Sequence, residues 1–200
     1  MRISKIISIL LHPIFIPLIT WEITLFFFSS VSFIISPYIN FIRQIIILST
    51  ILLPGLLILV LLKTKKITSL EMANYKERPL PLLFSSLIIF LGYVFIHPFI
   101  IFSPILKGQF IGAVIIILIA SLISIRWKIS LHMLAVGGAT GAITGISFLL
   151  AERGQLILFL IFISGILGTS RLNEKAHNHA QIYTGFLVGV IIEFTCVFLL

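Results

Sequence analysis

The chain predicts an all-α fold, a polytopic integral membrane helix bundle of about six to seven transmembrane helices, in a single transmembrane domain spanning residues 1–200. Three observations carry that expectation. Hydrophobic residues make up 60% of the chain and charged residues only 10%, against roughly 45–50% apolar residues in soluble domains. Mean hydropathy is +1.25, and several apolar runs reach the ~17–25 residues a helix needs to cross about 30 Å of hydrocarbon. The runs are continuous rather than alternating in polarity, which disfavours a barrel and leaves helices as the spanning element whose backbone groups pair internally.

Polar breaks divide the chain into runs at 13–34, 43–62, 81–102, 109–125, 130–150, 155–169 and 182–200. The first follows Met1-Arg2-Ile3-Ser4-Lys5, a start that resembles a secretory signal. The apolar stretch continues past signal length without a small-x-small cleavage pattern, so it reads as an uncleaved span. The second run ends at Lys63, Lys65 and Lys66, and the proline-bearing 94–105 stretch at the end of the third is expected to break or tilt. The run 130–150 holds Gly137, Gly138, Gly141 and Gly145, a spacing that suits close helix packing in a membrane. The run 155–169 is short for a span, and the last contains Glu193 and the single cysteine, Cys196. One cysteine allows no disulfide within the chain.

If each run crosses, Arg2, Lys5, Lys63, Lys65, Lys66, Lys76, Arg78, Arg126, Lys128, Arg171 and Lys175 fall on the N-terminal side. Arg43, Lys107 and Arg153 fall on the other. Eleven against three predicts a cytoplasmic N-terminus, in a multi-pass protein of a bacterial-type inner (cytoplasmic) membrane. The formal net charge of +8 is carried between hydrophobic spans. It therefore points to the lipid bilayer and phosphorylated lipid as partners, and away from nucleic acid.

The same counting puts three polar loops on one face, where they can converge. The first ends in Glu71-Met-Ala-Asn-Tyr-Lys-Glu-Arg-Pro79. Arg78 offers a planar fork suited to phosphate oxygens; Lys76 and Arg78 also read as ordinary interfacial charges. The second is Arg126-Trp-Lys128-Ile-Ser130-Leu-His132. Ser130 stands where a helix N-cap would, with His132 in the first turn, and free N–H groups there favour an anion. The third, Ser170-Arg171-Leu-Asn-Glu-Lys-Ala-His177-Asn-His-Ala-Gln181, crowds basic and imidazole groups against a membrane-length run. His177 is a candidate nucleophile on phosphorus, His132 a candidate acid and base, and Arg78 and Arg171 candidate stabilisers of equatorial oxygens.

The ordered set Arg78-Pro79, Ser130-x-His132 and Ser170-Arg171-x5-His177 resembles the type 2 phosphatidic acid phosphatase family, over the motif segments 71–79, 128–132 and 170–181. The resemblance implies a metal-independent membrane hydrolase, a lipid phosphatase of the acid phosphatase superfamily, that removes lipid phosphate or pyrophosphate through a phospho-histidine. It implies His177, His132 and Gln181 as catalytic residues, with Arg78, Lys76, Lys128, Ser130, Ser170 and Arg171 holding the phosphate, and no cofactor. Three positions depart from the family pattern. Glu71 replaces the opening lysine, Leu131 replaces a glycine, and Gln181 replaces the aspartate that orients the histidine. The chain has no aspartate at all, so Glu174 or His179 are the neighbours able to stand in. Divergent bacterial relatives resemble the His177-x3-Gln181-Ile-Tyr183-x-Gly185 form found here. Family members commonly work at the outer face of the inner membrane, whereas the charge count places these loops in the cytoplasm.

Two other functions fit the residues. A catalytically degenerate relative would keep the anion pocket to bind or flip a lipid phosphate. A small proton-coupled transporter would use Glu22 and Glu193, both inside apolar runs. Glu174 reads either as a partner of His177 on one helix face or as a charge paired with Lys175. His12-Pro13 and His97-Pro98 lack metal-ligand spacing, with His12 expected on the motif side and His97 on the opposite side.

Overall fold

The computed structural model describes residues 3–200; Arg2, counted in the charge bias, lies outside them. The protein is all-α, with no strand among the described residues. In chain order come α1 (Ile3–Leu10), α2 (Ile16–Phe27), α3 (Ser29–Ile34), α4 (Ile39–Ile46), α5 (Leu53–Lys63), α6 (Pro79–Ile100), α7 (Pro104–Ile123), α8 (Leu131–Leu150), α9 (Gly154–Asn173) and α10 (His179–Leu199). Six helical stretches are long and apolar enough to cross a membrane: Ser36–Lys63, which joins α4 to α5, and α6 to α10.

The run 13–34 differs from expectation. It folds as α2 and the short α3, broken at Phe28. Even so, the segment from His12 through α2 to Phe27 runs from end to end of the bundle. His12 packs its ring against His132 at the start of α8, while the Phe27 carbonyl accepts a hydrogen bond from Arg153 beyond the end of α8. The predicted short run 155–169 is instead a helix of 20 residues. Ser170 and Arg171 are therefore on its last turn, not in a loop.

Proline sets two local features. Pro54 removes an N–H and crowds the carbonyl four residues earlier. Directly upstream, Ile47–Leu52 widens into a π-helical stretch that joins α4 to α5 without ending the span. Pro98 lies near the end of α6 and the helix runs on through it to Ile100; the break expected in 94–105 falls just after, between Ile100 and Pro104. His97 sits at that end, remote from the motif loops, edge-on to Tyr93.

α8 is the buried centre: 72% of an 18-residue stretch of it is buried, against 28–44% in the other five spans. Glycine is the cause. A Cβ on Gly137 would run into the Phe186 carbonyl of α10, and one on Gly141 into the Val190 carbonyl. In return, Gly189 of α10 lies against the Leu134 carbonyl of α8, and Gly185 against that of Ser130. On the other flank of α10, Gly108 and Gly112 of α7 lie against the Cys196 carbonyl and the Glu193 carboxyl. The packing reading of the α8 glycines thus holds, and α10 is clamped between α7 and α8. Outward-facing Phe26, Phe33, Phe102, Leu158 and Phe162 leave an exposed apolar surface that fits a bilayer.

This geometry separates glycines that matter from those that do not. Gly189→Ala is expected to destabilise the protein by about 1–3 kcal/mol through overpacking, read as a lower midpoint in a thermal-shift assay in detergent. Gly165→Ala, with nothing within 4 Å of the added carbon, is expected to stay within about 0.5 kcal/mol of wild type or gain slightly.

Candidate functional site

At the end of the bundle where α6, α8 and α10 begin, three segments meet. Arg78, 4% exposed, immediately precedes α6. Its Nε donates to the Met72 carbonyl and one terminal nitrogen to the Ile129 carbonyl, both at 2.9 Å. It therefore staples the first motif segment to the second, leaving three of the five guanidinium N–H bonds free of those carbonyls. Thr68 and Glu77 tie the intervening loop back on itself, with the Glu77 carboxylate accepting from the Thr68 N–H at 2.9 Å. The second and third segments are joined by the backbone: Ser130 N–H donates to the Gln181 carbonyl at 3.3 Å.

Arg171 and Glu174 close α9 as an ion pair of 2.6 Å, and the Ser8 hydroxyl donates to the same carboxylate at 3.2 Å. Glu174 is thus paired with Arg171 and α1, not with Lys175. Lys175 takes a left-handed conformation (φ 52°), the position a helix usually gives to glycine. Ala176 N–H then caps the Arg171 carbonyl at 3.2 Å. The reversed chain carries His177 back over the end of α9.

Asn178 starts α10 with a capping box: its side chain accepts the Gln181 N–H at 2.9 Å, and the Gln181 side chain accepts the Asn178 N–H at 3.3 Å. That second bond identifies the accepting atom as the amide oxygen. The same Oε1 lies 2.9 Å from His177 Nδ1, so Nδ1 must carry the hydrogen and Nε2 keeps its lone pair. Neither Glu174 nor His179 takes this role; His179 stacks on Tyr183. Burial, and then the charges of Lys128, Arg78 and Arg171, outweigh the Gln181 bond and push the His177 imidazole down to about 4. It is neutral at ordinary pH.

Arg78, Lys128, His132, Arg171, Glu174 and His177 line one cavity of about 900 Å³. Burial and the neighbouring Arg171 guanidinium both act to lower the Arg78 pKa. Lys128 is lowered by burial and by the charges of Arg78 and Arg171. Arg78, Lys128 and Arg171 repel one another, with Lys5 and Lys175 also on the wall. Against these five cations stand Glu71, the Arg171-paired Glu174 and, deeper, Glu193, and Arg171 Nε is buried without a partner. An anion is the ligand that relieves both conditions. His132 donates Nε2–H to the Ser8 carbonyl at 3.0 Å, which leaves its Nδ1 as the basic atom.

The remaining sequence candidates lie elsewhere. Lys76 is exposed on a short helical turn. Ser130 and Ser170 are buried, 0% and 3% exposed, beside the site but outside the cavity wall. Ser130 occupies the N-cap position without a side-chain cap bond. Sequence reading missed α1 as a wall of the site, although Ser4 and Ser8 stand one turn apart on it, with His12 just beyond its end. Glu22 binds Arg43 in an ion pair, both partly exposed. Among the described residues, no group of three or more His, Cys, Asp or Glu side chains is placed to hold a metal ion.

The tautomer is directly testable. In nitrogen-15 spectra of histidine-labelled protein, His177 is expected as the Nδ1–H form through neutral pH. Gln181→Leu is expected to mix the two tautomers, to lower the pKa of His177 further because an acceptor is lost, and to cost about 1 kcal/mol from the broken cap. An unchanged tautomer in Gln181→Leu would remove Gln181 as the orienting group.

Compared with protein families, curated proteins and solved structures, the chain finds no match in any of the three.

Proposed function

We propose that the protein is a metal-independent phosphatase for lipid phosphates or pyrophosphates, working through a phospho-histidine on His177. The observation that carries this reading is the His177 Nε2 lone pair, set by the Gln181 bond, in a cavity shared with Arg78, Lys128 and Arg171. The cations bind and orient the phosphoryl group. His177 Nε2 attacks phosphorus, so that a P–N bond forms as the P–O bond to the lipid alcohol or bridging oxygen breaks. The leaving oxygen takes up the proton that the phosphate monoanion carries. His132, whose basic Nδ1 holds none to give, then accepts a proton from the water that cleaves the P–N bond and returns it to the phosphate released. Inorganic phosphate and neutral His177 result. The apolar lower wall, including Leu82, Ile89 and Phe110, suits the hydrocarbon of the substrate.

One observation favours a second reading, a lipid-phosphate binding or flipping protein without chemistry: Gln181 brings no charge to stabilise the imidazolium-like phospho-histidine, as a carboxylate would. The transporter reading is weaker, because the Glu22–Arg43 ion pair leaves Glu193 alone. In line with the charge bias, the site belongs on the cytoplasmic side of the cytoplasmic membrane.

Purified protein in detergent is expected to release phosphate from a lipid phosphate with chelator present. His177→Ala is expected to lose at least about a thousandfold, and Arg78→Lys about ten- to a hundredfold. Retained turnover in His177→Ala would sink the phospho-histidine. Binding of lipid phosphate without release from any substrate would favour the second reading. Because kcat/KM reports groups of the free enzyme, its acid limb should follow His177. The depressed pKa means activity persists through mild acid and falls as pH approaches about 4, where an ordinary imidazole would have failed near 6.5.

Orientation is checked separately. With α2 and the six long spans counted as seven crossings, a periplasmic reporter fused after Leu200 is expected to be active, and an inactive one would place the site on the outer face.

A further inference from the structure

The cavity does not end in hydrocarbon. Its wall continues from the cationic end to Glu193, Gln109 and Trp21. Glu193 is 5% exposed and its Oε2 has no hydrogen-bond partner; Trp21 is 3% exposed and its Nε1–H has none either. Gln109 gives its amide nitrogen to Thr24 Oγ1 at 2.9 Å, so its carbonyl oxygen is left as an acceptor. The position of Glu193 is built into the packing, since Gly112 of α7 makes the room its carboxyl occupies and any Cβ there would collide with it. On α10, Glu193 lies between Val190 and Phe194, which border Gly141 of α8. Gly141 is ten residues in from Leu131, about 15 Å at 1.5 Å per residue, the mid-plane of a hydrocarbon core about 30 Å thick.

We propose that this deep end is a second binding subsite, formed by Glu193, Trp21 and Gln109, which takes a neutral hydroxyl at mid-membrane depth. A hydroxyl both accepts and donates. It can take the Trp21 N–H and give its own hydrogen to Glu193 or Gln109. A plain hydrocarbon chain would satisfy neither orphaned group, and a cation would want more oxygen ligands than one carboxylate and one amide supply. Two sources carry that chemistry: water entering from the cationic end, or a hydroxyl on the chain of a bound amphiphile. The inference rests on the anion-binding half of the function proposed above and not on phosphoryl transfer.

The test uses the full chain in nanodiscs of phosphatidylcholine. First, infrared difference spectra of wild type minus Glu193→Gln isolate the Glu193 carboxyl band, with no ligand present. Its shift within minutes of transfer to deuterated water is expected if water is the source. Second, binding of a long single-chain alkyl phosphate is compared with that of the same chain bearing a mid-chain hydroxyl. If the amphiphile is the source, the hydroxylated probe is expected to bind roughly tenfold tighter, with the preference lost in Glu193→Leu and reduced in Trp21→Phe. A band that stays unexchanged for hours, together with equal binding of the two phosphates, overturns the subsite. Because the first measurement involves neither phosphate nor turnover, failure of the subsite is distinguishable from failure of the phosphatase reading, where neither alkyl phosphate binds at all.

Discussion

The direct backbone contact between α8 and α10 is the constraint on which the rest of the molecule depends. In lipid, apolar side chains gain little by leaving their surroundings, so helices associate through close packing. Here four glycines do that work reciprocally: Gly137 and Gly141 on α8 face the Phe186 and Val190 carbonyls, and Gly185 and Gly189 on α10 face those of Ser130 and Leu134. The contact fixes register as well as distance, because each glycine accepts one particular carbonyl. A helix slipped by a residue would meet side chains instead. With α10 in register, the start of α8 and the first turn of α10 are level, and Ser130 N–H can reach the Gln181 carbonyl.

Electrostatics then builds on that scaffold. Gathering the buried Arg78 and the half-buried Lys128 and Arg171 around one cavity is unfavourable in isolation, and the fold offsets it with backbone carbonyls for Arg78 and an opposite charge for Arg171. Arg78 is held by two carbonyls, and Arg171 by one carboxylate that also serves Ser8. Two of these bonds, Arg78 to Ile129 and Ser8 to Glu174, span segments far apart in sequence, whereas Arg78 to Met72 and Arg171 to Glu174 are local. Arg78 and Arg171, which line the cationic end of the cavity, are therefore also groups that hold separate segments together, and the local positive charge is a consequence of the architecture.

Much of this was legible in sequence, for identifiable reasons. Span positions follow from apolar run length, and the convergence of three loops follows from counting crossings, because helix length and bilayer thickness leave few alternatives. The break at Phe28 was not legible, since Phe28 sits in the apolar stretch Leu25-Phe-Phe-Phe28 and no proline or glycine marks it; the signal that was there, Ser29-Ser30 just after it, is one that membrane helices also tolerate. The extension of α9 to Asn173 was hidden by the polarity of Thr169, Ser170 and Arg171, which read as loop although helices tolerate them at an interface. The wall formed by α1 required tertiary contacts, Ser8 with Glu174 and with His132. The partner of Glu174 was likewise a matter of packing. The Asn178-x-x-Gln181 cap, in contrast, was present in the sequence as a helix-start signature and was overshadowed by the comparison of Gln181 with aspartate.

Gln181 ties two processes to one oxygen atom. Its Oε1 receives the Asn178 N–H that begins α10 and the His177 Nδ1–H that sets the imidazole. Helix ends fray at small free-energy cost, and whenever this first turn opens the histidine loses its tautomer and its aim together. Under the proposed function, the time that His177 spends competent is thus bounded by the time that the first turn of α10 stays wound, and a ligand that grips the imidazole would wind that turn in return.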